Sequence, residues 1–452
     1  MKCTIHKTFL FSIIVCLAFS PFVKAQPAQA EDLPSPYQIV KNNLKTNNYI
    51  TPIFDLKSRE EKYLASNMRV SFLEWIIQLE SFVGNYDEAY RYEDTLYADF
   101  PSTKYIIEQY KKDVADVKKS SVADYKMLDA IAAIDSIADK NQVIMINEEH
   151  RTPFHRALTL QLLAKLYSKG FRYFAAETVN EEDAELNKRG YPVQKTGTYT
   201  ADPVYADVIR TALRLGYKIV PYETRDATCK SPEDNPEFCN DRRERDQAKN
   251  LYERILKDDP QAKIFVHVGR GHNSKAAISK EFNFMAYYFR EISKIEPFTI
   301  DQLRFSERRN RAMEQPLYRL LTKVNLLQKP SVYRAASGKF YNQGAGYDML
   351  VFHPRLSYKN GRATFLEMNG LRKAEKIKLK KLNLKSKNQI FTQSEPVLIQ
   401  AFYAVESAEA VPVDQIILRP KQPAASLMLP EGKFLVRAMD KSGNVLSEYQ
   451  KD

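Results

Sequence analysis

One phrase occurs twice in the middle of this chain, and it limits what that region can fold into. Thr152-Pro153 reads as an N-cap followed by proline at the first helical position, and Gly170 closes the helix. Phe171-Arg172-Tyr173-Phe174-Ala175-Ala176 is then a strand that ends in Glu177. Asp202-Pro203, Gly216, Tyr217 to Tyr222 and Glu223 repeat the phrase, with each glutamate seven residues after its closing glycine. Two such units in equivalent register place Glu177 and Glu223 at equal depth on one rim of a sheet.

The flanking segments extend the pattern. Val143 to Asn147 is an apolar strand before the first unit, and Ala262 to Val268 is another after a helix expected from about Arg242 to Lys257. Tyr347 to Pro354 adds one more strand, after an Arg-rich helical stretch from Ser306 to Leu326. Strand and helix alternating at this spacing predict an α/β fold, a mainly parallel sheet flanked by helices and connected right-handedly. Two of the strands end abruptly in charge and imidazole: Glu148-Glu149-His150 after the first, Gly269-Arg270-Gly271-His272 after the later one. Open α/β sheets bind ligands outside the carboxyl ends of their strands, so the chemistry is expected there. Four of the six histidines, His150, His155, His267 and His272, fall in or beside these two motifs.

The rest of the chain divides around this layer. Lys2 and Lys7 precede an apolar run from Phe9 to Phe19, and Val23-Lys24-Ala25 and Ala28-Gln29-Ala30 offer small-residue exits, so residues 1–30 read as a cleaved secretory signal. Residues 31–134 form a helical N-terminal region, residues 135–368 the α/β domain, and residues 369–452 a small all-β, sandwich-like domain. Within the first, Tyr37 to Ala138 reads as helical, and Arg59 to Leu79 carries Leu64, Met68, Phe72, Trp75, Ile76 and Leu79 on one side. Within the last, Leu371 to Lys387 holds eight Lys or Arg around near-alternating Ile377, Leu379, Leu382 and Leu384, the pattern of a strand with one wet, basic face. A formal charge of +12 spread over 452 residues does not point to nucleic acid, which needs a clustered patch. No further apolar run reaches spanning length, so no transmembrane span is expected in the mature chain, and a periplasmic or secreted protein follows. Cys229 and Cys239, left once the signal departs, are expected to form one disulfide.

Several residues have plain structural readings. His267 stands between Val266 and Val268, where a hydrogen-bonded core histidine is expected. His155 is expected to line the pocket wall, Glu223 has Arg225 as a near partner, and Glu244 stands three residues after Asp241, as in a capping box. Glu148, His150 and His272 resist such readings, since all three lie at strand ends on one rim.

The ordered motifs carry a family likeness. Asn147-Glu148 with His150 after a first strand, Glu177 after the second, Arg243-Glu244 opening a helix with Ala248 and Asn250, and Val266-His267-Val268-Gly269 with Gly271-His272 resemble one superfamily. It groups ChaN-type haem-uptake proteins, erythromycin esterases and TIKI/TraB proteases. The likeness covers roughly Asp135 to Arg355, with Asn147 standing where glycine is common and Gln247 where methionine often stands. It implies one pocket lined by Glu148, His150, Glu177, Arg243, Glu244 and His272. Two chemistries suit that set. A divalent metal held by Glu148, His150 and His272 activates water, or a histidine acts as general base while Arg243 stabilises the developing oxyanion. Both end in hydrolysis of an ester or amide in a small-molecule or peptide substrate. The alternative is a haem- or iron-binding protein of an uptake system without turnover, for which Tyr191, Tyr199 and Tyr205 are nearby tyrosines.

Overall fold

The computed structural model describes residues 33–98, 100–117, 122–224, 236–344, 346–387, 390–421 and 426–451. The expected signal at residues 1–30 lies outside them, as do Cys229, with the disulfide expected of it, and Arg225. At the centre is an eight-stranded sheet: β1 (Tyr125–Asp129), β2 (Val143–Glu148), β3 (Phe171–Ala176), β4 (Lys218–Pro221), β5 (Lys263–Gly269), β6 (Phe298–Phe305), β7 (Ser331–Ala335) and β8 (Met349–Phe352). Its spatial order is β1-β7-β8-β6-β2-β5-β3-β4. The six strands from β8 to β4 run parallel, and β7 is antiparallel to both of its neighbours. The fold is therefore mixed α/β, built on a large, mostly parallel sheet.

All of β2 and nearly all of β5 is buried. Ile144 and Ile146 pack beneath Leu158, Leu162, Val208 and Ile209 of the helices Pro153–Ser168 and Pro203–Leu215. Val143 and Met145, pointing the other way, pack against Ala248, Leu251, Met285 and Phe289 of the helices Pro236–Leu251 and Met285–Ser293. With helices on both faces the strand has no solvent side, which is why the sequence shows an unbroken apolar run. Each such side chain contributes about 1.5–3 kcal/mol. The Asp202 carboxylate accepts the Val204 amide at 2.8 Å as the cap of its helix, and Gly170 and Gly216 take the left-handed conformation that ends each helix.

Three sheet strands, β1, β6 and β7, are not evident in the sequence. β1 falls in the stretch expected to be helical, and its pattern is exposed or half-buried because it is the sheet's edge. β6 buries Thr299, Asp301 and Gln302, whose polarity hides it. The Arg59 to Leu79 helix is two helices, Glu60–Leu64 and Arg69–Phe82, with the Ser66 hydroxyl accepting the Met68 amide between them.

After the sheet the chain is antiparallel β. Asp414–Leu418, Val397–Tyr403, Phe434–Met439 and Val445–Lys451 lie side by side in that order. The single basic strand expected over Leu371 to Lys387 is instead Lys373–Lys376, a 3-10 turn at Leu379–Leu382 and Ser386–Lys387, with Leu379, Leu382 and Leu384 buried. The N-terminal helices bury Ile50, Ile53, Leu73 and Ile76 in a core that also takes in Leu398 and Met439 of the C-terminal sheet. Among the described residues no helix is long and apolar enough to cross a membrane.

Candidate active site

Glu148 ends β2 level with Gly269 at the end of β5, so the turns that follow them meet at one rim. A Cβ on Gly269 would lie 2.4 Å from Cε1 of His150 and 3.0 Å from Oε2 of Glu177, so any side chain there would push one of them aside. That same Glu177 oxygen accepts the Gly269 amide at 2.5 Å. Asn147 ties β2 to its other neighbour. Its Nδ2 donates to the Arg270 carbonyl and to Asp301, both at 2.7 Å, and its Oδ1 accepts the Gln302 amide at 2.9 Å.

Two imidazole–carboxylate pairs face each other across this rim. In the first, His150 Nδ1 lies 2.9 Å from Glu148 Oε1. Glu148 is held from behind by fully buried Arg156, which donates Nε to Oε2 at 2.5 Å and Nη2 to Oε1 at 3.0 Å, and which also binds Asp202. In the second, His272 Nδ1 lies 2.8 Å from Glu244 Oε2, an oxygen that also accepts the Met285 amide at 2.7 Å. Glu177 sits between the pairs, with Oε1 3.0 Å from Arg243 Nη2 and 3.6 Å from His272 Nε2. Arg243 also donates to both oxygens of Glu223, and Gln247 Nε2 steadies Glu223 at 3.0 Å.

Exposure separates the roles. The side chains of His150, His272 and Arg243 are 16%, 13% and 36% exposed, against 2% for Glu148 and 4% for Glu244. The imidazoles and the guanidinium face solvent, and the two carboxylates stand behind them.

The charges reinforce this. Burial would raise Glu148, but Arg156 and His150 outweigh it and hold the carboxyl well below the usual range. Burial would likewise raise Glu177, yet His272 and Arg243 bring it down to about 2. For His272, burial works against the cation, but the Glu244 and Glu177 carboxylates prevail and lift its titration above the ordinary histidine value. An ionised Glu148 can only accept, so the His150 nitrogen beside it, Nδ1, is the one that donates.

No family model matches this chain, and no curated protein matches it. Among solved structures it is similar to "The structure of the type III effector HopBA1", at 13% identity over 50% of this chain and 93% of that one, with a TM-score of 0.32. At so low a score the likeness is too loose to bear on fold or activity.

The structure brings Glu148, His150, Glu177, Arg243, Glu244 and His272 together on one rim. Among the described residues no group of three or more His, Cys, Asp or Glu is arranged to hold a metal ion. Glu148, expected as a ligand, gives both oxygens to Arg156 and His150. His267 is buried in mid-strand with Nδ1 2.8 Å from the Tyr205 hydroxyl. His155 does not line the site: it is buried, accepting the Glu149 amide at Nδ1 and meeting Ser306 Oγ at Nε2. Glu244 stands inside its helix and caps the following one through Met285, so the capping-box reading gives way. Sequence reasoning missed Arg156 and Asp202. The available signal was an arginine in the first turn of a mostly apolar helix.

Proposed function

We propose that this chain is an exported hydrolase of ester or amide bonds, of the ChaN, erythromycin esterase and TIKI type that its motifs resemble. What carries the reading is the meeting of His150 and His272, each backed by its own carboxylate, on either side of Glu177 with Arg243 beside them. On this reading His150 Nε2 takes a proton from water, and the hydroxide adds to the carbonyl carbon. Arg243 faces the oxygen on which negative charge develops. Protonated His272 gives its proton to the departing oxygen or nitrogen, and the proton on His150 then returns through solvent to reset the pair. Acid–base assistance of this kind is worth roughly 10²–10⁴ in rate, and one oxyanion donor about 10²–10³. Residues 369–452 are read as a sandwich-like accessory domain.

Arg243 makes a metal unnecessary on this reading. Its Nη1 lies 3.3 Å from His272 Nε2, so an ion on that nitrogen would stand against a guanidinium. The residues present therefore fit a divalent ion poorly, and no step is routed through one. The reading is tested by assaying the full chain on p-nitrophenyl esters and peptides, with and without a chelator. Turnover that survives the chelator and disappears in His272→Ala supports it. Loss in chelator with recovery on adding zinc would overturn the metal-free route, and a Soret band on adding haem, without turnover, would favour the uptake alternative.

A further inference from the structure

Tyr199 lies flat on the imidazole of His150, with ring centroids 3.9 Å apart and planes 11° from parallel. It belongs to no strand of the sheet. It opens a 3-10 turn, Tyr199–Ala201, in the long connection between β3 and the Pro203–Leu215 helix. Several contacts fasten that turn. The Tyr199 amide donates to Thr178 Oγ1 at 3.0 Å, one residue after Glu177. Gly197 approaches Thr178 so closely that a Cβ there would stand 1.9 Å from the Thr178 carbonyl oxygen. At the far end, the Ala201 carbonyl accepts the Tyr49 hydroxyl at 2.9 Å, and that hydroxyl accepts Gln194 Nε2 at 2.8 Å. Val193, just upstream, bridges to Ala410 of the C-terminal region. Contacts from three regions thus converge on the seat of one ring.

The ring's chemistry suits its place. Burial, then repulsion from Glu177, pushes the Tyr199 phenol up to about 12, so it is a neutral hydroxyl and not a phenolate nucleophile. Its π face attracts a cation laid over it, and imidazolium is the cation formed when His150 takes a proton.

The geometry points to Tyr199 as a positioning residue that fixes the ring plane of His150 beside Glu177, closes one face of that imidazole to substrate, and steadies its imidazolium by stacking. This role rests on the hydrolase reading for its effect on rate. Three variants of the full chain test it: Tyr199→Phe keeps the ring, Tyr199→Leu removes it, and Thr178→Val loosens its anchor without touching either ring. The probe reaction is p-nitrophenyl acetate hydrolysis. Tyr199→Leu is expected to lower kcat on the order of tenfold to a hundredfold, the range for a misplaced catalytic group. Its KM, and both constants of Tyr199→Phe, should stay within about twofold of the unmodified chain. Thr178→Val should fall between, and it decides the matter if Tyr199→Leu does not fold. A fall in Tyr199→Phe as large as in Tyr199→Leu would overturn stacking as the role, and so would unchanged kcat in both Tyr199→Leu and Thr178→Val. The carbon-bound ring protons of His150, followed by NMR with labelled histidine, separate this inference from the hydrolase reading. If the unmodified chain hydrolyses nothing, a ring-current displacement present in Tyr199→Phe and lost in Tyr199→Leu still supports the positioning, and its absence throughout overturns it.

Discussion

Arg243 Nη1 stands 3.3 Å from His272 Nε2, a guanidinium beside an imidazole whose titration the Glu244 and Glu177 carboxylates lift above the ordinary histidine value. Glu177, Glu223 and Glu244 surround the two groups. The guanidinium therefore presents positive charge to the solvent side, with Glu177 and Glu244 behind it. This is the arrangement that a reaction generating an oxyanion needs.

Glu244→Gln removes a carboxylate that raises His272 while leaving an amide oxygen able to accept the Met285 amide, so the fold should survive. With that charge gone the titration of His272 falls. A reaction that needs His272 protonated loses rate as pH rises through it, so the alkaline limb of the kcat profile should move to lower pH in the variant. A limb that stays in place would remove His272 from the acid role.

Arg156→Met leaves Glu148 and Asp202 buried without their cation. Breaking a buried ion pair from one side costs about 3–5 kcal/mol. Arg437, paired with Glu448 near the surface, serves as the control, and its methionine variant should cost about 0–1 kcal/mol. Urea midpoints measure both, and equal costs would contradict the account.

Gly269→Ala should disable the site with the sheet intact, since the new methyl group would displace His150 or Glu177. The expected outcome is loss of turnover with little change in far-UV circular dichroism. Turnover at the unmodified rate would mean that the two side chains need not hold their present places.

Acid should destabilise the fold through its buried histidines. Burial lowers His267 to about 4, partly offset by Glu148, and lowers His353 to about 3. Burial and then His353 take His155 well below its usual value. An unfolded histidine titrates near 6.5, so the unfolded chain binds these protons first. The stability these groups contribute is complete above about pH 6.5 and is lost as pH falls toward 4 and 3. Thermal melts should show Tm dropping across that window, and a level Tm from pH 7 to 4 would contradict it.

The strands that carry the site were legible because burial on both faces leaves an unbroken apolar run with a charged end. The equal depth expected of Glu177 and Glu223 was not met. β3 pairs Ala176 with Pro221, which levels Glu177 with Tyr222 and leaves Glu223 one residue farther out. Both still reach Arg243, whose long side chain absorbs the offset. β6 was hidden because its buried polar residues answer to Asn147 across the sheet, a partner that no local pattern reveals. The sequence marks Tyr199 only as a nearby tyrosine, because its place against His150 is fixed by contacts from distant parts of the chain.

The central claim is that the two histidine–carboxylate pairs serve one reaction. The direct test is a double-mutant cycle on kcat/KM for ester hydrolysis, with His150→Ala, His272→Ala and the two combined. Groups that act as a unit are strongly non-additive, so the double variant should be about as slow as either single one. Losses that multiply, or a single variant that keeps the unmodified rate, would show that the two histidines do not share a mechanism.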